Sequence, residues 1–246
     1  MEKKGVVVKV SGSFLDSILE GDNAELGKLK EFSRAIADLH KSYNVGIVIG
    51  GGKIARRVIN IGRALGRSEA QCDILADKAQ RLNSSVLYSA FDRDVIYDGI
   101  IDNLTVASDV ITKKGLIGFL SGNFPGQSMD NVAAQYCAYT GIRTMVKIIN
   151  NVDGVYDADP KKYKNAKLIN SMSYDKLLDL TKKDSRKAGS SNVFDYMASK
   201  AVSNNRIELY IIGYKDINNI KDLIEGRYGA GTVVNSYGTR NKDKDS

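Results

Sequence analysis

The sequence predicts an α/β fold, a three-layer αβα sandwich with a mostly parallel central sheet. Two observations predict it. Short β-branched runs alternate with stretches of helical period, the pattern of βαβ units. Glycine-containing turns follow the runs. Right-handed crossovers between parallel strands then place helices on both faces.

Residues 6–10, Val-Val-Val-Lys-Val, read as a buried strand, followed by the small-residue turn Ser11-Gly12-Ser13. A helix is predicted over about residues 23–40, with Leu26, Leu29, Phe32, Ile36 and Leu39 near helical spacing. Residues 45–49 form a second strand. It ends in Gly50-Gly51-Gly52 and passes into a helix from about Lys53. Helical spacing resumes over 69–82, and 85–88 and 116–120 read as short strands. A helix over 129–139 and a strand over 144–149 follow. Beyond Asn150 the chain is rich in turn formers and carboxylates, then basic at Lys161, Lys162, Lys164 and Lys167. Helices near 174–180 and 193–203 and a strand over 208–212 complete the pattern. One domain over residues 1–246 is expected, its two lobes meeting near Asn150 (1–150 and 151–235), with a polar tail over 236–246.

Composition narrows the function. The chain has 246 residues, 43% hydrophobic and 26% charged, which is ordinary globular usage and excludes a disordered polyelectrolyte or a fibre. No apolar run approaches the roughly 20 residues of a transmembrane helix. The amino-terminal stretch lacks the long apolar region of a secretion signal, so a cytoplasmic protein is expected. Cys72 and Cys137 are read as reduced, half-buried helix residues. His40 is the only histidine, which excludes a His-based zinc site and argues against Ser-His-Asp chemistry. Its place at a helix end, where the dipole favours a cation, gives it a structural role. The formal charge of +7 is spread along the chain with no basic-aromatic module, so no nucleic-acid partner is assigned.

Three turns stand out: Ser11-Gly12-Ser13, Gly50-Gly51-Gly52 and Ser121-Gly122-Asn123. In a parallel sheet they share the carboxyl edge, where glycine lets backbone approach a ligand and helix N-termini favour anions. Together they point to an extended polyphosphate site, although glycine after a strand is common for any one of them. Neither a P-loop nor a Gly-x-Gly-x-x-Gly dinucleotide fingerprint occurs. Lys9 interrupts an apolar strand just before the first turn. A lysine there can neutralise a transferring phosphoryl group. Arg56 and Arg57 lie one turn into the helix after the triple glycine; one could reach the same phosphates while the other is solvated.

These stretches, with Phe124-Pro125-Gly126-Gln127, Asn151-Val152-Asp153-Gly154-Val155-Tyr156, Ala158-Asp159-Pro160 and Lys187-Ala188-Gly189-Ser190-Ser191, occur in an order that resembles the amino-acid-kinase superfamily. Ala55-Arg56-Arg57 after the glycines and Pro125-Gly126-Gln127-Ser128 point to its UMP kinase branch, archaeal type. The resemblance spans about residues 6–234. It implies the amino-acid-kinase fold and transfer of the ATP γ-phosphoryl group to UMP with Mg2+, in a hexamer built from dimers. The lobe over 1–150 would bind UMP and that over 151–235 ATP. An acceptor phosphate is already an oxyanion and needs no general base, which agrees with the scarcity of histidine.

Carried over residue by residue, the resemblance implies the following. Lys9 bridges donor and acceptor phosphates, with Val10, Ser11, Gly12 and Ser13 lining the ATP phosphates. Gly51 contacts the UMP phosphate, Gly52 the ATP side, and Arg56 clamps phosphate. Asp73 holds the ribose hydroxyls, its alternative being an exposed helix residue. Asn123, Phe124, Pro125, Gly126, Gln127, Ser128 and Met129 surround UMP. Asp130 orients Lys9 or contacts the metal, with helix N-capping as the alternative. Asp153 belongs to a turn and orders the catalytic lysine. Asn150, Asn151, Tyr156 and Asp159 bind ATP. Lys200 is a second phosphate lysine or a surface residue, and Asp195 a weaker candidate. No residue is assigned as a dedicated metal ligand. Asn150 and Met129 stand where many relatives have threonine, and Tyr196 where proline is frequent. A same-fold kinase of a small carboxylate such as acetylglutamate, or a non-catalytic nucleotide sensor, are the competing readings.

Overall fold

The computed structural model describes residues 3–21, 25–122, 124–184 and 194–240. The start of the first predicted helix, Asn123, the 187–191 stretch and the end of the tail lie outside them. β1 (Gly5–Val10) is a buried run of valines, and a 3-10 turn (Gly12–Phe14) and the short α1 (Asp16–Leu19) follow it. α2 (Leu26–His40) buries Leu29, Phe32, Ile36 and Leu39 on one stripe. His40 is buried as well. Desolvation, with Lys3 nearby, lowers its pKa, so burial rather than the helix dipole governs its charge.

β2 (Asn44–Ile49) is buried throughout and leads through the triple glycine into α3 (Gly52–Ala64). α4 (Glu69–Tyr88) opens on a capping box between Ser68 and Gln71. It runs through the predicted strand at 85–88: Leu87 is fully buried on its inner face, and tertiary packing overrides local β-propensity. β3 (Ile96–Ile101) was not expected. Asp98-Gly99 reads as a turn, but Gly99 takes φ +124° and the pairing shifts register between Ile96 and Ile100, an irregularity inside a strand.

α5 (Leu104–Ser108) runs into a π-helical turn (Asp109–Lys113), and β4 (Ile117–Leu120) follows. α6 (Met129–Thr140) is capped by Ser128 and stopped by left-handed Gly141. β5 (Thr144–Ile149), β6 (Ser171–Ser173), α7 (Tyr174–Asp184), α8 (Tyr196–Asn204), β7 (Glu208–Gly213), α9 (Ile220–Ile224) and β8 (Thr232–Asn235) complete the described elements. β6, three residues long, and β8, four, were not expected as strands.

The sheet order is β3-β4-β2-β1-β5-β7-β8-β6. The first six are parallel neighbours; β8 pairs antiparallel to β7 and parallel to β6. Helices cover both faces, giving two apolar cores. Val6, Val8 and Val10 point into one and Val7 into the other, so the fold is the three-layer sandwich expected. Chain order reverses at β1, between β2 and β5, and ligands of open α/β sheets bind outside the carboxyl ends at such a point. Cys72 and Cys137 are fully buried free thiols, deeper than expected.

Candidate active site

The turns after β1 and β2 abut. A methyl group built on Gly12 would stand 2.1 Å from the Gly52 nitrogen and 2.6 Å from the Gly50 oxygen. Gly52 itself takes φ +59°. Both positions therefore require glycine, one for space and one for conformation. Gly51 is the N-cap of α3 and contributes no capping side chain. The Asp16 carboxylate accepts from the Lys53 N–H at 2.7 Å, satisfying one orphan donor of that helix. α4 ties this turn to the one after β4. Asn83 Nδ2 donates to the Gly50 oxygen at 2.8 Å, and Arg81 donates to the Gly122 oxygen at 3.3 Å. Ser121 donates to Gln80 at 2.7 Å.

Beneath these turns lies a charged trio. Lys9 and Lys147 are register partners on neighbouring parallel strands, and both side chains project into the face occupied by α6. The Asp130 carboxylate, in the first turn of α6, stands between them. Its Oδ1 is 2.9 Å from Lys9 Nζ and its Oδ2 accepts from Lys147 Nζ at 2.5 Å. All three are buried: Lys9 is 8% exposed, Lys147 4% and Asp130 8%. Burial pushes the Asp130 carboxyl up, but Lys147 and Lys9 outweigh it and hold it below the ordinary value. For Lys147, burial outweighs the pull of Asp130 and brings the ammonium down to about 8. A methyl group on Gly50 would lie 3.9 Å from Lys9 Nζ, so this ammonium sits directly under the second turn.

The remaining candidate residues come from two stretches of the chain. Asp73 Oδ2 lies 3.6 Å from where a methyl on Gly126 would be, which brings the α4 carboxylate beside the 124–129 loop. In that loop Phe124 is 69% exposed, Gly126 takes φ +83°, and Gln127 Nε2 donates to Gln135 at 3.2 Å. The Met129 methyl packs near Gly122. On the other side, Asn150 Nδ2 donates to the Ser13 oxygen at 3.4 Å and joins the end of β5 to the first turn. Asn151 is exposed. Tyr156 bridges to Leu168, and Asp159 accepts from the Lys161 N–H in a turn.

The structure places the other candidates as follows. Asp130 does not cap its helix, because Ser128 does; its oxygens face two lysines. The Asp153 carboxylate pairs with Lys215 at 2.7 Å, and the carboxylate paired with Lys9 is that of Asp130. Lys200 is exposed, its ammonium 5.8 Å over the ring of Tyr196. Asp195 caps α8 and accepts from Ser128, linking the starts of α8 and α6. Arg56 is exposed, 3.8 Å from Asp16, while Arg57 pairs with Glu20 at 3.0 Å. Lys147 was missed. It interrupts Thr-Met-Val-Lys-Ile-Ile as Lys9 interrupts its valines, so the same signal was present. Gln80 and Asn83 gave no signal, since polar residues on a helix are ordinary until the helix is placed.

The description "Amino acid kinase family" matches residues 4–213. A uridylate kinase of Methanocaldococcus jannaschii is 35% identical over 208 residues, 84% of this chain and 89% of that protein. One of Thermococcus onnurineus is 32% identical over 218 residues, 89% and 95% of the two chains. Among solved structures, uridylate kinase from Archaeoglobus fulgidus superposes with a TM-score of 0.78 at 29% identity, over 95% of this chain and all of that one. UMP kinase from Ureaplasma parvum gives 0.77 at 25% identity, over 96% and 100%. With its glycine turns and buried lysine at the carboxyl edge of the sheet, this chain belongs to the amino acid kinase family.

Proposed function

We propose that the chain is a UMP kinase, transferring the γ-phosphoryl group of ATP to UMP to give ADP and UDP. The observation that carries this reading is the Lys9 ammonium, held by Asp130 under abutting glycine turns at the switch point of the sheet. Transfer between two phosphates needs alignment and charge neutralisation rather than a base. The single histidine fits this, since it lies at the amino edge of the sheet, away from the turns. Lys9 bridges the two phosphates. Backbone N–H groups of Gly12, Ser13 and Gly52 receive ATP, and Gly51 receives the UMP phosphate. The guanidinium of Arg56, exposed beside the turn, closes on phosphate. Asp73 accepts from the UMP ribose, and the 124–129 loop faces the base. Asn150, at the lobe boundary, and Asn151, Tyr156 and Asp159, in the lobe over 151–235, bind ATP.

Asp130 has both oxygens turned to lysines, and the described residues hold no group of three or more metal-binding side chains. Mg2+ would therefore arrive on the ATP phosphates, where it lowers the charge of the transferred group. We place the reaction in the cytoplasm, supplying UDP for pyrimidine nucleotides; no described helix is long and apolar enough to cross a membrane. The quaternary reading is a hexamer built from dimers; exposed Ile61 on α3, Leu65 just after it, and Ile74 and Leu82 on α4 are apolar surface that a second copy could cover. The test is ADP release with Mg-ATP and each nucleoside monophosphate in turn, beside acetylglutamate. UMP should be the preferred acceptor. Turnover of acetylglutamate with none of UMP would reverse the assignment, and ATP binding without ADP release would make the chain a sensor.

A further inference from the structure

We propose that Lys147 is a positioning residue for phosphoryl transfer, engaging one oxygen of Asp130 so that this carboxylate orients Lys9 without cancelling its charge. The inference rests on the kinase reading of the same site. Its basis is an electrostatic count. Lys9 and Asp130 alone would form a neutral buried pair. With Lys147 the trio carries a net charge of +1, and the surplus sits on the lysine beneath the glycine turns. In a buried site of low effective dielectric, one unit of charge toward incoming phosphates is a large electrostatic difference.

Lys147 does not reach a ligand itself. The ring of Phe194, 2% exposed, covers it with Nζ 5.1 Å from the centroid. On its other side β7 presents Ile211, its register partner. The groups that face it are Asp130 from α6, Lys9 from β1 and, at longer range, Asp195 at the start of α8. Lys147 therefore acts through Asp130. Each oxygen of that carboxylate is directed at a different lysine, and the register of β1 with β5 sets the two ammonium groups side by side. A carboxylate shared in this way holds Lys9 in place while half of its charge is answered elsewhere.

The experiment compares wild type, Lys147→Met, and the double variant Lys147→Met with Asp130→Asn, as full chains whose folding is checked by circular dichroism. The single variant removes the surplus charge, and kcat for UMP should fall about 10²-fold, the scale of one lost electrostatic stabiliser. The double variant leaves Lys9 with its charge uncancelled and should recover about tenfold or more of that loss. A merely structural lysine predicts the opposite, because a second lesion in the same cluster would not restore turnover. The wild type adds a pH readout: kcat should decline above about pH 8 as Lys147 loses its proton, a limb absent from the double variant. If Lys147→Met alone does not fold, this limb and the double variant decide the matter.

ATP affinity by calorimetry should follow the same order, weakest in the single variant and restored in the double. This separates the two proposals. No UMP turnover in any of the proteins, with that order of ATP affinity intact, sinks the UMP reading and keeps the trio. Equal kcat and equal ATP affinity in wild type and Lys147→Met, or a double variant worse than the single, overturns the role of Lys147.

Discussion

Asp130 and Glu20 are each shared by two cations, and they differ mainly in their access to water. Asp130 lies between Lys9 and Lys147, with all three side chains buried. Glu20 lies between Lys53 at 2.9 Å and Arg57 at 3.0 Å, with all three in contact with solvent. The charge count is the same, two cations to one anion. Buried charges attract and repel strongly and are costly to leave unpaired. Solvated charges are screened, and their pairing contributes little. One geometry is thus a candidate device for presenting charge to a ligand, and the other a patch of polar surface that holds α3 beside α1.

The sharpest break of this comparison is at Lys9. Lys9→Ala removes the ammonium under the turns and leaves Asp130 and Lys147 as a matched buried pair. Turnover should fall by about 10³-fold or more while the fold persists, because the residual pair is neutral. Steady-state kinetics beside a thermal melt test this. Turnover within a few-fold of wild type would take Lys9 out of the mechanism.

Asp130→Ala attacks the same cluster through its anion. Two buried ammonium groups then face each other without a counter-charge. Urea unfolding should show a loss of about 3–5 kcal/mol, the scale for breaking a buried pair from one side. A loss well under 1 kcal/mol would mean that water reaches the trio and that its burial does not set its energetics.

Lys9 was legible because a charge inside an apolar run has few structural explanations. Lys147 carries the same mark, yet its meaning depends on β1 and β5 pairing in one register, and that is a tertiary fact. The glycine turns were legible singly, but their contact, with Gly12 against Gly50 and Gly52, arises only when strands distant in sequence become neighbours. For Asp130 the sequence left capping and lysine-orienting readings open, and the hydroxyl of Ser128 settles the cap. The helical end of α4 was misread because Leu87 owes its burial to the sheet beneath it. β3 was hidden by its own irregularity at Asp98-Gly99. Apart from β3, what escaped the sequence is a relation between elements.

Asp73 sharpens the comparison from a third direction, since its partner would be the substrate. Its carboxylate sits beside the Gly126 turn with no described side-chain partner in reach of a hydrogen bond. Asp73→Asn keeps the shape and removes the charge-assisted bonds to ribose hydroxyls. KM for UMP should rise about tenfold, the scale of a lost hydrogen bond to a charged group, with KM for ATP nearly unchanged. An equal rise for both would put Asp73 in the wrong half of the cleft.

The smallest effect belongs to Glu20. The hydrogen bond from Lys53, with the charges of Lys53 and Arg57, draws its carboxyl below the ordinary value against the opposing effect of desolvation. A depressed carboxyl contributes stability above the unfolded value of 4.5 and loses it as pH falls through the lower folded value. Water and salt screen this pair at neutral pH, so Glu20→Gln should leave both Tm and kcat unchanged within error. A measurable loss of kcat would show that Glu20 positions α3, through Lys53 and Arg57, for the turn that receives phosphate. The exposed carboxylate would then share the work assigned to the buried one, and access to water would no longer separate the two sites.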